Sequence, residues 1–268
     1  DGRTLAAAGS DGTVVLWDPA ARRPRTVLRG HRGAVFAVAF APDGRTLASA
    51  GADRTLRLWD VPARRPLAVL TGHTDYVNGV AFSPDGRTLA GAGDDLTVRL
   101  WDARTHRPLA TLTGHTGAVR AVAFGPDGRT LASSGNDGTV RLWDMARRRL
   151  LGSLTGHTGS VRGLAFSPDG RLLASSGNDR TVRLWDVPGR RLWATLSGHT
   201  NAVWGVAFAP DGRTVASSSN DGTVRLWNLD TGTRLAEICR LYRETDPATR
   251  RALLPGEPAP GASVCPRH

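Results

Sequence analysis

A tryptophan followed by an aspartate occurs at Trp17-Asp18, Trp59-Asp60, Trp101-Asp102, Trp143-Asp144 and Trp185-Asp186, and a sixth copy reads Trp227-Asn228, each 42 residues after the last. Two further motifs keep step with it. Gly-His pairs stand at Gly30-His31, Gly72-His73, Gly114-His115, Gly156-His157 and Gly198-His199, and a Pro-Asp-Gly-Arg turn begins at Pro42, Pro84, Pro126, Pro168 and Pro210. Three motifs in fixed register leave little room for coincidence, and they run from the first residue to about Ile238.

Short strands fill each unit. In the unit from Gly114 to Arg149, residues 118–124, 130–134 and 139–143 alternate with turn residues and 150–154 follow as the outer strand, and in the third segment Val140 and Leu142 share one face while Thr139, Arg141 and Trp143 share the other. Pro-Asp-Gly suits a tight turn, since Pro fixes φ and Gly tolerates φ > 0, and Asn136-Asp137-Gly138 makes the next turn in the same way. A strict repeat of roughly 40–45 residues carrying several short strands is the signature of a β-propeller, in which each repeat supplies a four-stranded blade. The motifs resemble the WD-repeat β-propeller family. The expectation is an all-β propeller of four-stranded antiparallel blades, six of them recognisable, over residues 1–238, followed by an irregular Pro-rich C-terminal tail over 239–268.

Asp1-Gly2-Arg3 aligns with Asp43-Gly44-Arg45, so blade one lacks its innermost strand, while residues 234–238 supply an outer strand to blade six. The chain therefore reads as a fragment of a longer protein. Cys239 and Cys265 flank the tail, as free thiols or as a single staple. That arrangement is similar to the ends of propellers appended to large bacterial signalling proteins, an analogy of fold only. No apolar run approaches the roughly 18 residues needed to span a bilayer, and no charged-then-apolar leader opens the sequence, which implies a cytoplasmic location.

The formal net charge of +11 comes entirely from arginine, because the 35 basic residues include no lysine. Many lie in the connections after Trp-Asp, such as Arg64-Arg65 and Arg147-Arg148-Arg149, and so concentrate on one side of the disc. Such a patch suits nucleic acid or another anionic surface through counterion release. No stacking aromatics interleave with these arginines, and a solvated face is the favoured reading.

By the resemblance, His31, Ser49, Asp53 and Trp59 occupy the positions of a structural tetrad. The set recurs as His115, Ser133, Asp137, Trp143; as His157, Ser175, Asp179, Trp185; and as His199, Ser217, Asp221, Trp227. A Ser, a His and an Asp within reach of one another would ordinarily raise acyl transfer. Four copies in equivalent settings instead suit a buried hydrogen-bond relay ending on the indole N–H, each bond contributing about 1 kcal/mol. No G-x-S-x-G elbow accompanies them, so no catalytic residue is assigned and the chain is read as a non-enzyme. Blade three keeps His73, Asp95 and Trp101 but has Gly91 in place of the serine, and blade one has Ala7 there. Restoring serine at Gly91 is expected to be neutral or stabilising if the blade has kept the tetrad geometry. The Gly-His histidines are 42 residues apart, one per blade, and cannot converge on zinc; His106 and His268 read as solvated. No metal or cofactor is expected.

Subtracting the repeat leaves the aromatics Phe36, Tyr76, Trp193, Trp204 and Tyr242. In the family, the offsets of Phe36, Tyr76 and Trp204 from the Gly-His pairs point to the channel mouth. Asn78, Arg120 and Arg162 take the matching place in the other blades, and Asp94, Asn136, Asn178 and Asn220, just before the turn aspartates, point to the same mouth. An aromatic and arginine ring over amides has the composition of a binding hot spot; the alternative is that these side chains merely plug the entrance. Arg120 and Arg162, in adjacent blades, suggest a carboxylate or phosphate held by forked hydrogen bonds. The functional expectation is a non-catalytic protein-interaction scaffold, a module of a larger bacterial regulatory or signalling protein. It would bind a protein or peptide, acidic or phosphorylated, at the mouth, with nucleic-acid or anionic-surface binding through the Arg-rich opposite face as the alternative.

Overall fold

The computed structural model describes residues 2–230, and within them every element is a strand. Twenty-two strands form six antiparallel sheets, each in chain order. Blade four is representative: Val119–Phe124, Thr130–Gly135, Val140–Asp144 and Arg149–Leu154 pair in that order. Blades two, three and five are likewise four-stranded, beginning at Val35–Phe40, Val77–Phe82 and Val161–Phe166. These first strands pack against one another from blade to blade and on to Val203–Phe208 of blade six, which makes them the innermost.

Blade one has three strands, Leu5–Ala8, Thr13–Asp18 and Arg23–Arg29. Blade six shows Val203–Phe208, Thr214–Ser219 and Val224–Asn228. The outer strand expected at residues 234–238, the boundary at 238, the tail with Cys239 and Cys265, Tyr242 and His268 lie outside the described residues.

The core is a series of layers between blades. Alternation along each third strand sends Val98 and Leu100 of blade three forward onto Val119, Leu131 and Trp143 of blade four. All are at most 3% exposed. Burying a side chain of this size contributes roughly 1.5–3 kcal/mol, and the same layer repeats between the other neighbouring blades. At the two ends the faces are open: Leu5 is 59% and Trp17 37% exposed on blade one, Val224 69% and Leu226 72% on blade six.

In four of the Gly-His pairs, at Gly72, Gly114, Gly156 and Gly198, the glycine has two reasons to be glycine, and Gly30 has only the second, the close approach of an arginine. Gly114 has φ = 136°, and a Cβ there would stand 2.9 Å from Nη1 of Arg141, whose guanidinium lies across the turn. The third-strand arginines are thereby drawn toward the tetrads, with Arg57 Nη2 3.5 Å from Asp53 and Arg183 Nε 3.9 Å from Asp179.

Candidate functional site

In blade four the indole Nε1–H of Trp143 donates to Ser133 Oγ at 2.8 Å, and the serine hydroxyl is 2.8 Å from His115 Nε2. His115 Nδ1 lies 2.8 Å from Asp137, which also accepts the Thr139 hydroxyl at 2.8 Å and the Thr116 backbone N–H at 3.1 Å. One proton order satisfies every group: Trp donates to Ser, Ser to His Nε2, and His Nδ1–H to the carboxylate. Blades two, five and six repeat the chain through His31–Ser49–Asp53–Trp59, His157–Ser175–Asp179–Trp185 and His199–Ser217–Asp221–Trp227. All four serines are at most 2% exposed, so none can meet a substrate.

The electrostatics agree with a neutral imidazole over a carboxylate. Burial pushes His31, His73, His115 and His157 below the usual histidine range, against the raising pull of their aspartates. For Asp53, burial raises the pKa, but hydrogen bonds from Thr55, His31 and the Arg32 N–H outweigh it and bring the group to about 2.

Blade three has not kept the geometry on which the expectation for Gly91 depends. His73 Nδ1 still reaches Asp95 at 2.8 Å, but His73 Nε2 is buried without a partner. The gap has closed: His73 and Trp101 ring centroids are 5.7 Å apart, against 6.4 Å for His31–Trp59 and 6.3 Å for His157–Trp185. A Cβ at Gly91 would lie 2.8 Å from Leu56 Cδ1, 3.1 Å from His73 Nε2 and 3.2 Å from Trp101. Serine therefore overpacks the site instead of refilling it.

The mouth is built by a backbone device. At the start of every complete inner strand the register slips by one residue, between Val35/Ala37, Val77/Gly79, Val119/Ala121, Val161/Gly163 and Val203/Gly205. The skipped residues are Phe36, Asn78, Arg120, Arg162 and Trp204. A β-bulge re-aims the side chain it carries, and all five line one cavity of about 420 Å³ together with Tyr76 and Asp94. Phe36, Tyr76 and Trp204 are 45%, 46% and 48% exposed, and the first two pack at 6.1 Å between ring centroids.

Asn136, Asn178 and Asn220 do not line the cavity. Asn136 and Asn178 stand behind it, accepting from Arg120 Nε at 2.8 Å and from Arg162 Nε at 3.1 Å, while Asn220 is fixed through its backbone N–H to Ala202 O at 3.0 Å. The two arginines of the mouth have different surroundings. Asp94 binds Arg120 Nη1 at 2.9 Å, and Asn78 Nδ2 donates to Asp94 at 2.6 Å, so Arg120 is internally neutralised. One sign of this was legible: Asp94 is acidic where Asn136, Asn178 and Asn220 are amides.

Several connection arginines are also engaged. Arg25 pairs with Asp18 at 2.7 Å, Arg147 with Asp144 at 3.0 Å and Arg191 with Asp186 at 3.0 Å. Arg148 and Arg190 donate across the blade boundary to the carbonyls of Leu109 and Leu151, at 2.8 and 2.6 Å. These carbonyls belong to residues skipped in the outer-strand pairing, so each arginine satisfies an acceptor that the ladder leaves over. His106 occupies the matching connection in blade three with φ = 62°, and Trp193 is the skipped, half-exposed residue of blade five's outer strand. A second cavity, of about 620 Å³, lies between blades four and five, lined by Pro126, Leu151, Phe166, Pro168 and Arg190; no sequence motif marked it.

The family model described as WD domain, G-beta repeat matches residues 1–18, 22–60, 64–102, 106–144, 148–186 and 190–228. The chain belongs to that family. A comparison with curated proteins found no match. WD-repeat propellers generally act as protein-protein interaction scaffolds and are typically non-catalytic. Among the described residues no helix is long and apolar enough to cross a membrane.

Proposed function

We propose that this propeller is a non-catalytic scaffold module of a larger regulatory or signalling protein, and that it holds a partner peptide at the channel mouth. The observation that carries the reading is the ring of five bulged residues, which turns a position that differs from blade to blade onto one open cavity. Three half-exposed aromatics and an arginine stacked on one of them have the make-up of interface hot spots. The Arg-rich opposite side supports the rival reading less well, because Arg25, Arg147 and Arg191 already face carboxylates and Arg148 and Arg190 hold neighbouring blades.

The test is the affinity for the native partner. Replacing Phe36, Tyr76 and Trp204 together by alanine should weaken binding by about 2 kcal/mol or more, while Arg64→Gln with Arg65→Gln should leave it unchanged. Loss on the Arg64-Arg65 side alone, with a steep fall in affinity as salt rises, would favour an anionic surface or nucleic acid instead.

A further inference from the structure

The charged groups of the mouth are not equivalent. Arg120 gives its Nη1 to Asp94 and Asn78 at 2.9 and 3.2 Å and its Nε to Asn136 at 2.8 Å, and Asp94 balances its charge. Arg162 uses only its Nε, on Asn178, while its guanidinium carbon lies 4.7 Å over the Trp204 ring. Among the described residues no carboxylate comes within ion-pair distance of it, and its two terminal nitrogens have no protein partner. With Asp94 cancelling Arg120, the cavity holds one positive charge in excess, and that charge is Arg162. Burial first, and Arg120 after it, pull Arg162 below the usual arginine range, and the longer-range attraction of Asp94, which is ion-paired to Arg120, opposes them only in part.

The stack on Trp204 and the bond to Asn178 fix the guanidinium plane, leaving the two Nη atoms as a fork of the kind that matches a carboxylate or a phosphate. Across the cavity, Phe36 and Tyr76 offer an apolar surface with no charge of its own. Resting on the reading of the mouth as a peptide site, we infer that Arg162 alone receives one anionic group of the bound peptide, a carboxylate or a phosphate, while an apolar side chain of the same peptide seats on Phe36 and Tyr76. The Asp94–Arg120 pair is then part of the wall, and Arg162 determines specificity.

Selection of random peptides displayed on phage tests this, with counter-selection against the variant carrying Phe36→Ala, Tyr76→Ala and Trp204→Ala. The expected winners carry an aspartate or glutamate beside an apolar residue. Their affinity should fall about tenfold or more on Arg162→Gln, the effect of losing a charge-assisted forked contact. It should fall less on Arg162→Lys, less on Asp94→Asn with Arg120→Gln, and not at all on Arg129→Gln in the opposite turn. Arg162→Lys keeps the test sound should Arg162→Gln fold poorly. Synthetic versions with phosphoserine in place of the acidic residue identify the source: tighter binding names a phosphate, weaker binding a carboxylate, and both retain the role of Arg162. Winners that need the aromatics but lack an acid, or that ignore Arg162→Gln, overturn the assignment and leave the mouth reading standing. Absence of any aromatic-dependent winner overturns the mouth reading and the inference with it.

Discussion

Gly91 is where the tetrad loses its hydroxyl, and the neighbouring side chains have moved in to fill the space. Ser133→Ala in an intact relay strips partners from both Trp143 Nε1–H and His115 Nε2, and should lower stability by about 1–3 kcal/mol in denaturant unfolding. Gly91→Ser should also destabilise, because overpacking by about 1–3 kcal/mol outweighs a regained bond of about 1 kcal/mol. Leu56→Val, by removing the crowding Cδ1, should offset part of that loss, a coupling that a double-mutant cycle reads directly. Additive losses would show that Leu56 is not the obstacle. The relay residues were legible in the sequence because the family resemblance assigns their positions and the set recurs in register in four blades; the closure around Gly91 was not, since it depends on a leucine from another blade. Leu96 gives a second residue-scale test. It has φ = 67° in a turn where Gly12, Gly138 and Gly222 adopt the same left-handed region, so Leu96→Gly should raise stability by about 1 kcal/mol in thermal or denaturant melts. An unchanged or lower stability would mean that the exposed leucine makes contacts worth more than the strain.

At the scale of the element, each match to the family model after the first begins near one blade's outer strand and ends at the next blade's Trp-Asp or Trp-Asn. A sequence repeat therefore straddles two blades, and the layers of Val, Leu and Trp between them couple what the chain already links. The alternating strands and their turns were plain in the sequence because a period of two and Pro-Asp-Gly each have a local cause. The β-bulges were not, since a slip in register is a property of two strands at once. They decide the site: without the slip, the side chains of Phe36, Asn78, Arg120, Arg162 and Trp204 would alternate onto a blade face. Asp94 and Arg120 are 26 residues apart in different blades, and only the ring geometry makes them partners. Where a blade boundary has an arginine staple, its removal should loosen the outer strands: Arg190→Ala should speed hydrogen exchange around Leu151 in blade four, and unchanged protection there would deny it a fastening role.

For the whole molecule, the relays predict how stability follows pH. His31, His73, His115 and His157 are held below their unfolded value near 6.5, so their contribution is full above that pH and is lost as pH falls through the folded values. The tetrad aspartates are lowered from 3.8, Asp53 to about 2, so their share is full above about pH 4 and is lost as pH falls through the folded values. Melting temperature should be level above neutrality, fall below about pH 6.5 and fall again below about pH 4; a flat curve from pH 7 to 5 would contradict buried neutral histidines. The same arrangement buries the tetrads, while the mouth is a place where blades differ. The most direct measurement is site-specific crosslinking to the native partner, with a photoreactive phenylalanine analogue placed at Tyr76 in one protein and at Arg129 in another. Crosslinking from position 76 alone, abolished when Phe36 and Trp204 become alanine, is the result predicted. Crosslinking from position 129 with none from position 76 would place the partner on the opposite face and contradict the account.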